Sequence, residues 1–289
     1  MKYFGTDGFR GRVGESLTME HAVKIGQYIG MYFSKAKNSA RIVIGKDTRR
    51  SSYMLEYAIA AGITSAGADA YLMHVTTTPS VSFITRRDNF DCGVMITASH
   101  NPYYDNGIKL IDSDGDKMND VFLEDVEKYI DGEIGGYISS EPGKCIDYIC
   151  GRNSYINYLS EVPNVSFRGY KVGLDCANGA AFSIAQTIFR MLGADVFAIN
   201  IHPDGRNINV NCGSTHPEQL QKYVKENHLD IGFAFDGDAD RCMMVNDKGE
   251  LIDGDGILYI LGLYLSDNKK LRNNTVVATI MSNIGLKKH

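Results

Sequence analysis

The sequence predicts an α/β protein with two consecutive layered α/β domains and part of a third, and three observations support this class. Apolar runs with strand composition alternate with helical patterns, which is the rhythm of a layered α/β domain. The rhythm starts again after Gly151. With 289 residues and 44% apolar content, the chain is longer than a typical domain and can bury more than one core.

The first domain is predicted to occupy residues 1–145. Its predicted strands are 41–44, 70–75 and 92–97. Its predicted helices are 53–66, a short helix opened by Thr78-Pro79, and 120–130. The segment from Gly132 to Gly143 carries several glycines and serines, and we expect the domain boundary just after it.

The second domain is predicted over 146–250 and the third from 251. The predicted strands of the second domain are 170–175, 194–200 and 231–235. Three helices are predicted: the first ends near 162, the second covers 180–192, and the third begins at a capping box in Thr215-His-Pro-Glu218. A helix over 254–265 and a strand over 275–281 follow. Since about forty residues with one helix and one strand cannot bury a core, 251–289 is expected to be the opening of an incomplete third domain.

The charge balance argues against a nucleic-acid partner. The 30 basic and 35 acidic residues are mixed along the chain and give a formal net charge of −5, whereas nucleic-acid binding usually shows as a basic patch. No membrane partner is expected, because no apolar stretch could span a bilayer and the N-terminus lacks a signal-peptide pattern. The six cysteines form no CxxC pair, so reduced thiols and a cytoplasmic location are expected. The sequence is compatible with a homodimer.

The segment FDGDADR, from Phe235 to Arg241, sets three carboxylates two residues apart directly after an apolar strand. In a regular strand, Asp236 and Asp240 would lie about 13 Å apart. Oxygens that share one small cation lie within about 4 Å of each other, so the strand must curl. Gly237 and Ala239 suit a tight curl, because glycine tolerates positive φ and alanine adds little bulk.

Three hard oxygen donors around one point favour Mg²⁺ over a soft metal. A solvated acidic turn is the alternative. A calcium loop of EF-hand type fits badly, because Arg241 and Asp247 stand where that loop needs glycine and glutamate. Three aspartates and a divalent ion leave about one negative charge. The guanidinium of Arg241 beside them therefore indicates a further anion, and phosphate is its favoured partner.

A second loop, TASHNP from Thr97 to Pro102, also follows an apolar strand, where α/β proteins place reactive groups. It is not the nucleophile elbow of a hydrolase, which needs glycines two residues on either side of the serine. Taken alone, Ser99 followed by His-Asn-Pro fits an ordinary turn about as well as a reactive loop.

Both loops resemble loops of the α-D-phosphohexomutase superfamily. TASHNP with the following YYDNGIK, which ends at Lys109, resembles the family's phosphoserine loop, and DGDAD resembles its metal-binding loop. FGTDGFRG from Phe4, GKDTR from Gly45 and NCGSTH from Asn211 look most like the bacterial phosphoglucosamine mutase branch. The similarity runs over the whole chain in the family's order, and residues 277–283 are similar to the start of its third domain.

The resemblance implies a role for each of these residues. The catalytic residues would be Ser99, His100, Lys109, Arg10 and Arg241, and the metal ligands Ser99, Asp236, Asp238 and Asp240. Ser99 would carry the transferable phosphate, and the metal would be Mg²⁺. Lys109 would be the general acid and base, with His100 assisting. Because Lys109 needs a lowered pKa to accept a proton near neutral pH, we expect the arginines and the metal to lower it.

The implied reaction interconverts glucosamine 6-phosphate and glucosamine 1-phosphate through a phosphoserine enzyme and a bisphosphate intermediate. Glucose or mannose phosphates are alternative substrates. A phosphoserine adds about −1.5 to −2 charges and could complete the coordination shell that three carboxylates leave open. In complete family members, later parts of the chain read the sugar hydroxyls and grip the second phosphate. This chain alone is therefore expected to bind Mg²⁺ but to show little or no turnover.

Two other functions stay open at this point. FAFDGD, from Phe233, resembles the nucleophile segment of haloacid-dehalogenase-like phosphatases, although Asp240 stands where that family needs threonine or valine. A phosphosugar- or metal-binding fragment without catalysis is the second alternative. Hydroxylamine separates the two enzymes, because it cleaves an acyl phosphate on Asp236 and leaves a phosphoserine intact.

Overall fold

The computed structural model describes residues 1–35, 39–136, 139–283 and 285. Over these residues the chain forms two β-sheets flanked by helices, which confirms the predicted α/β class. The strands are β1 (Phe4–Gly5), β2 (Gly8–Arg12), β3 (Arg41–Lys46), β4 (Asp69–Val75), β5 (Cys92–Ile96), β6 (Asp105–Ile111), β7 (Cys145–Asp147), β8 (Lys171–Asp175), β9 (Asp195–Ile199), β10 (Ile231–Phe235), β11 (Cys242–Asn246) and β12 (Leu251–Ile252). The helices are α1 (Met19–Ser34), α2 (Arg50–Ser65), α3 (Thr78–Arg87), α4 (Asp120–Asp131), α5 (Ile149–Glu161), α6 (Ala181–Met191), α7 (Glu218–Glu226) and α8 (Gly254–Asp267).

The first sheet has the strand order β1-β2-β6-β5-β3-β4-β7. Its centre is parallel, since β3 pairs in parallel with β4 and β5, and the strands β6 and β2 add antiparallel pairs at one side. Helices α1, α2 and α4 cover one face, and α3 and α5 pack on the other. Helices α1 and α2 approach so closely that a Cβ on Gly62 would lie 2.2 Å from Val23 O.

The second sheet has the order β12-β11-β10-β8-β9. Strand β10 is parallel to β8 and antiparallel to β11. Side chains alternate along β10, so Phe233 faces the cluster under α6 while Ala234 faces the cluster under α7. Both sheets therefore deliver loops from the carboxyl ends of buried central strands, β5 in the first and β10 in the second.

The division into domains stays a proposal, with bounds 1–145, 146–250 and 251–289. The first proposed boundary falls at Cys145, which is the first residue of β7, an edge strand of the first sheet. Helix α5 packs against both α3 and α6 and so joins the two layered units. Within the described ranges, no helix combines the length and hydropathy that a membrane span needs.

Two predicted elements are wrong and one helix was not predicted. Residues 275–281 form no strand: Val277 and Ile280 are largely exposed, and no described strand lies beside them to supply the hydrogen bonds that extended backbone needs. The capping box at Thr215 does not form, because α7 begins only at Glu218 with Pro217 as its N-cap. The unpredicted helix is α1, which Thr18 caps through a reciprocal bond with His21.

Candidate active site

The two predicted loops meet where the carboxyl ends of β5 and β10 face each other. Ser99 Oγ donates a hydrogen bond to Asp236 Oδ2 at 2.5 Å, although the two residues are 137 positions apart in the chain. Ser99 has a φ of 52°, a left-handed conformation that is costly for a residue with a side chain. The backbone N–H of Ser99 is held by Thr97 Oγ1 at 2.9 Å, which stabilises this turn.

The carboxylate loop curls as expected, but Gly237 and Ala239 contribute to the curl in other ways than predicted. The positive φ lies at Ala239, with a value of 55°. Gly237 is required for space instead, since a Cβ there would lie 2.5 Å from Ser99 O. The absence of a side chain at Gly237 is therefore what lets the two loops touch.

The three aspartates form a cluster that fits a metal ion. One oxygen from each of Asp236, Asp238 and Asp240 lies within 4.8 Å of the others, and the first two residues are buried. Asp238 Oδ1 is buried and receives no hydrogen bond from an N–H or hydroxyl group in the described part of the chain. Asp236 hydrogen-bonds to Asp238 when Asp236 carries a proton. When Asp236 is ionised, a cation must balance the buried charge, and a hard oxygen set suits a divalent one.

The crowding of negative charge appears in the pKa values. Burial and the neighbouring carboxylates of Asp238 and Asp240 raise the pKa of Asp236 to about 7, although its bond from Ser99 acts in the opposite direction. Burial would raise the pKa of Asp238 as well. The ammonium of Lys109 and the hydroxyl of Thr78 outweigh burial, and the pKa of Asp238 is lowered.

Lys109, on β6, reaches across from the first unit to the carboxylate loop. Its Nζ lies 2.9 Å from Asp238 Oδ2 and 3.0 Å from Asp240 Oδ2. Burial lowers the pKa of Lys109, but these two carboxylates outweigh burial and raise it. The direction is opposite to the expected one, because the nearest charges are the aspartates rather than the arginines.

The remaining predicted residues, His100, Arg10 and Arg241, also lie at this junction. His100 Nδ1 is 3.4 Å from Ser99 Oγ. Burial and the positive charges of Arg241 and Arg10 lower the pKa of His100. Arg241 donates its backbone N–H to Asp236 Oδ1 at 3.1 Å. Arg10 is paired with Gly107 on β6, so it lies on the same sheet face as Lys109.

Three further residues at the site were not predicted. Arg49 is fully buried, forms an ion pair with Asp47, and donates through Nη2 to Ser99 O at 3.1 Å and Asn101 O at 2.6 Å. Asn209, from the second unit, donates to the same two carbonyl oxygens. Thr78 bonds to Asp238. Arg49 stood in the GKDTR segment, and a charged residue beside an apolar strand was the signal that could have found it.

Comparison with known proteins identifies the family of the chain. Residues 1–134 match the family model of phosphoglucomutase/phosphomannomutase alpha/beta/alpha domain I, and residues 153–249 match that of domain II. The chain belongs to the phosphoglucomutase/phosphomannomutase family. The family assignment confirms the resemblance seen in the two loops and covers both layered units.

Curated members of the family are similar over nearly the whole chain. The phosphoglucosamine mutase of Lachnospira eligens is 57% identical over 99% of this chain, which corresponds to 65% of that protein. The phosphoglucosamine mutase of Clostridioides difficile is 45% identical over 99% of this chain and 64% of its own length. The chain thus spans slightly less than two thirds of these relatives.

Solved structures of the family share the fold. A phosphoglucomutase/phosphomannomutase family protein from Burkholderia thailandensis superposes with a TM-score of 0.78 at 26% identity, covering 92% of this chain and 59% of that one. The Paramecium phosphoglucomutase pp63/parafusin, at 18% identity, covers 92% of this chain and 56% of its own with a TM-score of 0.69, and shows the fold alone. The family fold therefore extends over both sheets.

Proposed function

We propose that this chain carries the phosphoserine and the metal site of a phosphohexomutase that interconverts glucosamine 6-phosphate and glucosamine 1-phosphate. The observation that carries the proposal is the 2.5 Å contact of Ser99 Oγ with Asp236, inside a cluster of three carboxylates. A serine hydroxyl in that position, once phosphorylated, would place phosphate oxygens beside the carboxylates, where a divalent cation can bind both.

In this proposal Asp236, Asp238 and Asp240 hold Mg²⁺ together with an oxygen on Ser99. The bound ion would neutralise charge on the phosphoryl group, which is the main requirement of phosphoryl transfer. Arg10 and Arg241, whose charges act on His100 next to Ser99, add fixed positive charge near the proposed phosphoryl group.

Proton exchange accompanies the transfer. When a phosphoryl group passes from a sugar phosphate to Ser99 Oγ, the Ser99 hydroxyl loses a proton and the sugar oxygen gains one. His100, with Nδ1 3.4 Å from Ser99 Oγ and a lowered pKa, is the neutral base that would accept the Ser99 proton. Lys109 holds a proton at Nζ between two carboxylates and would donate it to the sugar oxygen, and the reverse transfer returns both protons.

Glucosamine phosphate is the proposed sugar because the relatives from Lachnospira eligens and Clostridioides difficile are both phosphoglucosamine mutases. The dehalogenase-like phosphatase is disfavoured, since Asp236, the nucleophile it would need, is buried and has both oxygens engaged by Ser99 and Arg241. In the proposed phosphohexomutase, these same contacts would hold the serine loop against the aspartates.

Intact-mass spectrometry tests the proposal. After incubation with Mg²⁺ and glucosamine 1,6-bisphosphate, the chain should gain the mass of one phosphate group that resists hydroxylamine, while Ser99→Ala gains none. Ser160→Ala, on α5, is the matched control and should be phosphorylated like the parent chain. A phosphate released by hydroxylamine, or one retained in Ser99→Ala, would contradict the proposal.

A further inference from the structure

The contact of Thr78 with the carboxylate loop bears on how strongly a metal is held. Thr78 is the first residue of α3 and belongs to the first layered unit, whereas Asp238 belongs to the second. The Thr78 hydroxyl donates to Asp238 Oδ2 at 2.5 Å, and the Thr78 backbone N–H donates to the Asp238 carbonyl at 3.0 Å. One residue therefore fixes both the side chain and the backbone of Asp238.

The two oxygens of the Asp238 carboxylate are in different situations. Oδ2 accepts from Thr78 and from Lys109 Nζ, at 2.5 and 2.9 Å. Oδ1 accepts from no N–H or alcohol hydroxyl in the described ranges and Asp238 is 0% exposed, so the groups that can balance it are the neighbouring Asp236 carboxyl and a cation. The carboxylate is thus held through one oxygen while the other is left for a cation.

The start of α3 gives Thr78 little freedom to move. Thr77 caps the helix by accepting the N–H of Ser80, and Pro79 occupies its first turn. The Thr78 N–H is one of the donors that a helix leaves unpaired at its N-terminus, and Asp238 uses it. A rigid helix end therefore sets the position of the carboxylate in the opposite unit.

We propose that Thr78 is a positioning residue for the metal site, acting through Asp238 and not as a ligand itself. The inference rests on the proposed function, because it takes Asp236, Asp238 and Asp240 as the site of Mg²⁺. Groups that hold a metal ligand by hydrogen bonds typically change metal affinity by about 10–100-fold when they are removed.

The test measures Mg²⁺ binding to the purified chain by isothermal titration calorimetry, with Mn²⁺ binding by electron paramagnetic resonance as a second probe. Thr78→Val removes the hydroxyl and keeps the shape, and we expect affinity to fall by about 10–100-fold. Thr78→Ser keeps a hydroxyl and should stay within about threefold of the parent. In an Asp238→Asn background, Thr78→Val should add less than about threefold, because its effect passes through that carboxylate.

Thr187→Val is the matched control, since it removes a hydroxyl that donates to Ser183 O on α6. It should leave Mg²⁺ affinity unchanged. Thr78→Ala replaces Thr78→Val if the valine variant does not fold. Equal affinities for the parent and Thr78→Val would overturn the inference and leave the metal site standing, as would equal losses in Thr78→Val and Thr78→Ser. A parent chain that binds neither ion would overturn both this inference and the proposed metal site.

Discussion

Arg49→Met should lower the free energy of unfolding by about 3–5 kcal/mol, the cost typical of breaking one side of a buried ion pair. Arg49 and Asp47 are both fully buried, and Ser52 Oγ at 2.7 Å is the other side-chain donor to the Asp47 carboxylate. Without the guanidinium, Asp47 keeps a buried charge that has lost its counter-ion. The carbonyls of Ser99 and Asn101 also lose a donor, and among the described residues Asn209 is the side-chain donor that they keep.

Urea unfolding followed by circular dichroism measures this loss. Arg50→Met is the matched control, because Arg50 is the next residue but is exposed, and the change should stay within about 0.5 kcal/mol. The double variant Asp47→Asn with Arg49→Met should recover a large part of the stability, since no buried charge is left alone. A single variant as stable as Arg50→Met would contradict the assignment of Arg49 as the support of the Ser99 loop.

Asp236→Asn should have opposite effects on stability and on metal binding. It removes one charge from three carboxylates whose oxygens lie within 4.8 Å, and so should stabilise the metal-free protein by about 1–3 kcal/mol. Part of the gain is offset because the Arg241 N–H, 3.1 Å from Asp236 Oδ1, would then face an amide. Mg²⁺ affinity should fall by more than about 100-fold. The loss is larger than for Thr78→Val because Asp236→Asn removes the charge of a metal ligand itself, whereas Thr78→Val removes a group that only hydrogen-bonds to a ligand.

The pH dependence of the metal-free protein gives this prediction a second readout. In the folded chain Asp236 keeps its proton up to a pKa of about 7, against the ordinary value of 3.8. Folding therefore takes up a proton between about pH 4 and pH 7, and raising the pH through this window disfavours the folded state. The loss of stability over that window should be smaller in Asp236→Asn, which has no carboxyl group there to titrate.

Urea unfolding in EDTA at several pH values, together with Mg²⁺ calorimetry at pH 8, checks both effects. Asp247→Asn removes an exposed carboxylate in the turn after β11 and serves as the control. It should change neither the slope with pH nor the affinity for Mg²⁺. If Asp236→Asn destabilised the metal-free chain, or bound Mg²⁺ as tightly as the parent, crowded carboxylates would not be the reason for the metal site.

Local patterns were enough to predict most of the elements that carry the site. Strands β5 and β10 are apolar runs of five residues that end in polar loops, and their short length together with these flanking loops favours strands over helices. The curl of DGDAD was predicted from the distances that one cation allows. Elements whose stability depends on a neighbour were predicted less well, and 275–281 is the example, because an extended segment becomes a strand only when another strand pairs with it.

The roles of individual residues were likewise predictable only where local sequence carries them. The spacing of the aspartates at a strand end indicated a cation site, because carboxylates gather around cations, whereas Ser99 and Lys109 were indicated only by the family resemblance. The sequence did not indicate Asn209 or Thr78, because both are polar residues outside the two loops that were singled out. Each becomes part of the site only through a hydrogen bond to the opposite unit, Asn209 to Ser99 O and Thr78 to Asp238.

The sequence by itself determined which side chains stand at the ends of which strands, and hence the chemistry that each loop can supply. Only the tertiary structure decided that Ser99 meets Asp236 across 137 residues, and that Lys109 faces the aspartates closely enough to raise its own pKa. The physical reason is that residue type and spacing set local conformation over a few positions. Distances between separate units depend instead on how their surfaces pack. Gly237 is an example, because a side chain there would collide with Ser99 O and keep the two loops apart.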